Sequence, residues 1–266
     1  MIINPYIFGI PYTGLFDTYG SPTLGFSMFR LDAEYTGYCM RVRRTSDNTT
    51  LDVGFVNNYL DTASLLSFVG ASDGRVVKWY DQSGNGNDLT QTVNATDQPT
   101  IVSSGSLITR NGIATMKATS TQFITLTTNI TGTASRSWWW ALEKDTTGNQ
   151  AMLGANGSNY MYLDYGTSQY GGQADGVTIS SALSINTFRL INWVHNPNPT
   201  GFKMYNNGSL IGSNTGSTVT MTLAQIPMTA FRTTSVFFNE FLYWATDQTS
   251  NRTAIELDIK TRNTIY

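Results

Sequence analysis

The chain has 266 residues, 40% of them hydrophobic, 12% aromatic and only 13% charged, with a formal net charge of −2. The length suits one large β domain, and a charged share about half that of ordinary soluble domains leaves the surface to Ser, Thr, Asn, Gln and Gly. The near-neutral balance excludes the electrostatic footprint of a nucleic-acid binder or an anionic-membrane binder. The single cysteine, Cys39, excludes an intrachain disulfide and reads as a buried, inert thiol. No apolar run is long enough to span a membrane as a helix.

Residues 1–23 differ from the rest. They hold three of the seven prolines and many apolar and aromatic residues, and Asp17 is their only charge. Pro5, Pro11 and Pro22 forbid a long helix and suit an extended path. Met1-Ile2-Ile3-Asn4-Pro5-Tyr6 lacks the basic and apolar regions of a signal peptide. An exposed apolar arm marks a contact, made either along its own domain or on another subunit through Ile3, Tyr6, Phe8, Tyr12 and Phe16.

From residue 24 onward short strands follow one another. Strands are expected over 38–44 and 51–55, with an Asp47-Asn48 turn between them. Asp61 caps a short helix that buries Leu65, Leu66, Phe68 and Val69 and ends at Gly70. Residues 75–80 alternate and are rich in β-formers, so they read as a strand. Thr-rich strands are expected over 99–102, 112–118 and 122–126, and a longer one over 136–144. In that strand Trp138 and Trp140 share one face and Trp139 takes the other. Residues 150–178 interleave Tyr160, Tyr162, Tyr165 and Tyr170 with Asn, Gln and Asp. A strand over 186–195 ends at Asn196-Pro197, and Asn206-Asn207-Gly208 turns a hairpin. Strands over 219–223, 228–232 and 236–244 come next. A last helix begins near Asp247 to Ser250, with Ile255 and Ile259 on one face. Many short strands, frequent turns and two short helices imply an all-β antiparallel sandwich over 24–266.

The most specific stretch is Lys78-Trp79-Tyr80-Asp81-Gln82-Ser83-Gly84-Asn85-Gly86-Asn87-Asp88-Leu89. A strand runs into a loop of Asn and Gly, which tolerate positive φ. Asp81, Asn85, Asn87 and Asp88 offer oxygen donors in a turn. They either close the turn on its own backbone or form a weak calcium site. With Tyr35-Thr36-Gly37, Arg41-Val42-Arg43-Arg44, Ser46-Asp47 and Asp52-Val53-Gly54-Phe55, the stretch resembles the start of the catalytic domain of the fungal α-L-arabinofuranosidase B family. The same block resembles concanavalin-like (LamG-like lectin/glucanase) sandwich modules of bacteriophage virion proteins. Those modules also share a Leu-Asp-Thr helix, here Leu60-Asp61-Thr62, and a closing helix like residues 247–255. The likeness covers 24–102 and 236–266. It implies a concanavalin-like jelly roll with two short helices and an extended N-terminal arm.

Two functions are open at this stage. The first, which the virion resemblance implies, is a non-enzymatic structural or adhesion module of a phage particle: a fibre or capsid decoration protein. The arm would anchor it to other virion proteins, and a homo-oligomer, a trimer by virion symmetry, is expected. It would be located in the virion, with no cofactor, no nucleic acid and no membrane insertion. A host-surface glycan would stack on Trp138, Trp140, Tyr160, Tyr162 and Tyr170. The alternative is a glycoside hydrolase of α-L-arabinofuranosidase type. That chemistry needs two carboxylates across a cleft, with Glu240 and either Asp164 or Asp175 as the candidates. The arabinofuranosidases' vicinal cysteine pair is missing here, which counts against the alternative. The lone histidine, His195, has no Gly-x-Ser-x-Gly elbow to serve and reads as structural.

Overall fold

The alternating stretch before Asp81 forms the strand Gly74–Trp79, which sits at the centre of the rear layer of a sandwich. The computed structural model describes residues 12–119, 121–132, 135–145, 150–154, 160–163, 169–174, 177–182, 184–196, 201–215, 221–226 and 235–266. Fifteen of its strands belong to one continuous antiparallel sheet that folds into two layers. The front layer runs Ser209–Asn214, Gly201–Asn206, Arg189–Asn196, Arg136–Lys144, Val236–Trp244. The far edge of Val236–Trp244 carries Leu24–Ser27 on one half and Met116–Ala118 on the other. Met116–Ala118 pairs with Thr100–Ser103, which leads to Gly74–Trp79. Met40–Arg44 and Thr50–Val53 extend the rear layer on one side. Leu89–Thr90, Ile124–Gly132 and Met221–Ile226 extend it on the other.

A separate four-stranded sheet, Gln150–Gly154, Tyr160–Leu163, Gln169–Ala174 and Val177–Ala182, closes one side of the sandwich. Its first strand lies beside Met221–Ile226 and its last beside Ser209–Asn214, the outer strands of the two layers.

Two β-bulges decide which side chains meet between the layers. The shift between the Lys78 and Val76 pairings lets Val76 and Trp79, three residues apart, both point inward. The shift between the Glu240 and Phe238 pairings does the same for Phe238 and Phe241. Trp79 packs on Phe26 at 5.4 Å and Phe238 at 5.9 Å between ring centroids. Trp138 stacks on Trp193 at 5.5 Å, and Trp193 on Phe202 at 4.9 Å. Each such ring removes on the order of 200 Å² from water, about 5 kcal/mol of transfer free energy.

The outer face of the front layer is also dry. Trp139, Ala141, Leu190, Leu242 and Trp244 form a second core with Leu15, Phe16, Leu31, Ile255, Ile259 and Ile265. Among the described residues there are three α-helices rather than two: α1 (Leu15–Tyr19), α2 (Thr62–Val69) and α3 (Arg252–Asn263). Helix α2 is capped as its sequence indicates, with Asp61 accepting from the Ser64 N–H at 3.0 Å. Helix α3 buries Ile255 and Ile259 as their i, i+4 spacing implies. The surprise is α1. Residues 15–19 coil, and Phe16 meets Trp244 edge-on at 6.4 Å. Leu15 and Phe16 therefore cover this chain's own sheet instead of running extended towards a partner. Ile3, Tyr6 and Phe8 lie outside the described residues, as does all of 228–232.

Candidate functional site

The Trp79-to-Asp88 stretch is a clasp. Asp81 is buried, and its Oδ1 accepts from the N–H groups of Gly25 at 2.9 Å and Ser83 at 3.0 Å. Its Oδ2 accepts from the Ser83 hydroxyl at 2.7 Å and the Asn87 N–H at 3.1 Å. Gln82 is buried too. It accepts from the Leu31 N–H at 2.8 Å and donates to the carbonyls of Ser27 and Phe29 at 3.1 and 2.9 Å. Asp88 accepts from the Asp81 N–H and from Lys78 Nζ, both at 3.0 Å. Asn85 donates to the Pro22 carbonyl at 3.1 Å. The motif thus ties the segment 22–31 to the rear layer. Of the calcium candidates, Asp81, Asn85 and Asp88 turn side-chain groups to hydrogen-bond partners in the chain and Asn87 contributes its backbone N–H; no cluster of three His, Cys, Asp or Glu suited to a metal occurs among the described residues.

The expected sugar platform is corrected by burial. Trp138 and Trp140 are 1% and 0% exposed, inside the first core, and Trp139 is 0% exposed in the second. A strand packed on both faces buries all three, whereas sequence alternation alone leaves one face open. The side chains of Tyr160, Tyr162 and Tyr170 lie outside the described residues, as do Asp164 and Asp175.

Glu240 does not face an open cleft. The bulge before it turns it to the outer side of the sheet, where α3 covers it completely. Arg262 grips it through two nitrogens, with Nε at 3.1 Å from Oε2, and Asn263 Nδ2 lies 2.7 Å from the same oxygen. The other three glutamates are also placed. Glu143 pairs with Arg110 at 2.7 Å, Glu256 pairs with Arg252 at 2.7 Å, and Glu34 is exposed in a loop. Burial raises the Glu256 carboxyl above its ordinary value, and Arg252 opposes that shift. His195 is buried on the inner face opposite Arg136. Cys39 is buried beside the Ser27 carbonyl, and desolvation raises its thiol pKa.

The rear layer carries a polar surface net that the motifs Val42-Arg43-Arg44 and Asp52 foreshadow. Arg41 holds Asp52 through two nitrogens at 2.8 and 2.6 Å, and the Tyr80 hydroxyl donates to Asp52 at 2.7 Å. Arg41 leads in holding the Asp52 carboxyl below its ordinary value.

Sequence reasoning missed one opening altogether. A groove of about 670 Å³ lies between α3, the residues around Tyr12 and the hairpin formed by Phe55–Val56 and Tyr59–Leu60. Tyr12, Tyr19, Phe29 and Tyr59 supply rings; Asn57, Asn58, Asp258, Thr261 and Arg262 supply polar groups. Asn57 and Asn58, both at positive φ (52° and 69°), form the turn. Two adjacent asparagines between β-formers are a hairpin signal and could have located one wall.

A family model described as "Alpha-L-arabinofuranosidase B, catalytic" matches residues 16–254. No curated protein matches. Among solved structures, an arabinofuranosidase complexed with arabinofuranosyl-α-1,2-xylobiose superposes at a TM-score of 0.67 and 14% identity. A GH54 α-L-arabinofuranosidase soaked with a cyclic sulfate inhibitor gives the same values. A mutant of such an enzyme soaked with 4-nitrophenyl α-L-arabinofuranoside gives 0.66 and 13%. Each comparison covers 94% of this chain and 64% of the other, so the chain spans less than two thirds of those proteins. At such identity the superpositions show the fold, a concanavalin-like sandwich. The family match corrects the preference for a non-enzymatic phage module: the arabinofuranosidase model matches residues 16–254, and no comparison supports a virion protein. The chain belongs to the α-L-arabinofuranosidase B catalytic-domain family.

Proposed function

We propose that this chain is a glycoside hydrolase acting on α-L-arabinofuranosides. The observation that carries the proposal is the family match over residues 16–254. The matched fold, a sandwich closed on one side by a separate four-stranded sheet, supports it. Hydrolysis of a glycosidic bond needs an acid to protonate the leaving oxygen and a second carboxylate to act as nucleophile or to activate water. Glu240, Glu143 and Glu256 are each committed to an arginine, and Glu240 is sealed from solvent. Of the three carboxylates singled out from the sequence, Asp164 and Asp175 are the ones we take forward as the catalytic pair, and Glu240 takes a structural role.

The test is release of 4-nitrophenol from 4-nitrophenyl α-L-arabinofuranoside by the wild type and by Asp164→Asn, Asp175→Asn and Glu240→Gln. Loss of a catalytic carboxylate lowers kcat by orders of magnitude with the fold intact. Loss of a structural one lowers stability first. No release by a folded wild type would reject the activity. A Glu240→Gln protein with unchanged melting and no turnover would return Glu240 to the active site.

A further inference from the structure

We propose that the groove beside α3 binds a neutral glycan chain and holds a polymeric substrate without cleaving it. The choice of polymer rests on the hydrolase reading; the groove's chemistry does not. More than half of the residues that line it, including Tyr12, Leu257, Asp258 and Arg262, fall outside the span shared with the family. The groove's volume lies within the range of small-ligand sites.

The walls suit sugar rings. Tyr59 is 52% exposed and is braced by Phe29 at 5.1 Å, edge-on. Tyr12 is 36% exposed and is backed by the Arg30 guanidinium at 5.0 Å from its centroid. Rings fixed in this way present flat apolar faces at little entropic cost. Leu257, 59% exposed, adds an apolar floor. Side-chain amides at Asn57 and Asn58 both donate and accept, which matches the alternating hydroxyls of a sugar.

Charge selects a neutral ligand. Among the described residues Asp258 is the one carboxylate in the lining, and a single carboxylate does not make the pair that hydrolysis needs. Arg262, the one cation among the described lining residues, is already engaged by both Asp258 and Glu240. One cation shared between two anions leaves no attraction for a uronate, sulfate or phosphate.

Affinity gel electrophoresis tests the proposal with the full chain. Soluble arabinoxylan in the gel should retard the wild type, and polygalacturonate should not. Tyr59→Ala, Asp258→Asn and Leu257→Gln should each weaken retardation by about tenfold, while turnover of 4-nitrophenyl α-L-arabinofuranoside stays within about twofold. The three sites are partly exposed, and circular dichroism identifies any variant that fails to fold. Wild-type mobility unaffected by arabinoxylan would overturn the proposal. So would folded variants that bind like the wild type. Binding that appears only after deletion of residues 1–11 would overturn it in favour of an intramolecular occupant. Retardation without any 4-nitrophenol release would reject the hydrolase activity and leave the groove proposal standing.

Discussion

Arg262 holds Glu240 in place from above. Its Nε lies 3.1 Å from Oε2, a second nitrogen reaches Oε1, and Asn263 completes the cage at 2.7 Å. The carboxylate is fully buried, so the last turn of α3 and the bulged strand Val236–Trp244 depend on each other. Removing one partner of a buried pair strands the other charge. Arg262→Ala is expected to cost about 3–5 kcal/mol. Glu240→Gln should cost less, because Arg262 keeps Asp258. Urea denaturation measures both, and equal losses would contradict the ranking.

Asp81 accepts three backbone N–H groups and one hydroxyl. Asp81→Ala leaves those donors without their acceptor and should cost about 2–4 kcal/mol. Asp81→Asn should cost less, since one oxygen remains. Because the oxygens of Asp81 already face donors, added Ca²⁺ should leave Tm where EDTA leaves it. A saturable rise in Tm with Ca²⁺ would instead identify a metal that binds the native state.

The Arg41–Asp52 pair gives a pH signature. Arg41, aided by Tyr80, holds the folded Asp52 carboxyl below its unfolded value. The stabilisation is therefore fully present above the unfolded value, near pH 4, and is lost as pH falls through the lower folded value. Arg41 is 41% exposed, so the gain is only about 1 kcal/mol after screening. Asp52→Asn should be less stable than wild type at neutral pH, and the gap should close at acid pH. A gap that is constant from pH 7 to pH 2 would contradict this origin.

Trp138 and Trp139 occupy separate cores on the two faces of one strand. Trp138→Ala and Trp139→Ala should each cost about 3–5 kcal/mol. Neither ring is placed to stack on a sugar, so Trp138→Phe should leave arabinoxylan retardation unchanged. A selective loss of retardation without loss of stability would contradict the core assignment.

Local rules explain what was legible in the sequence. The strands Arg136–Lys144 and Val236–Trp244 were legible at their observed bounds as runs rich in aromatic and other β-forming residues, Asp61 marked the start of α2, and Asn207-Gly208 marked a hairpin. The Tyr-Asp-Gln-Ser-Gly block was recognised, but its role was not. Its side chains bond residues 22–31, more than 50 positions away, and such closure leaves no periodic trace. Glu240 misled for a related reason. Its direction is set by a bulge, and its partners Arg262 and Asn263 come from a helix whose docking angle the sequence does not encode locally. The same holds for the groove, which needs Tyr12, the 55–60 hairpin and α3 together. Helix α1 was hidden because five residues among prolines give too short a pattern to read as a helix.

The most direct measurement is the initial rate of 4-nitrophenol release from 4-nitrophenyl α-L-arabinofuranoside by the purified wild-type chain, with Asp164→Asn and Asp175→Asn alongside. The expected result is turnover by the wild type that falls by at least about a hundredfold in one or both variants, with unchanged melting curves. A folded wild type that releases no 4-nitrophenol, or variants that all turn over at the wild-type rate, would contradict the assignment of hydrolysis to these carboxylates.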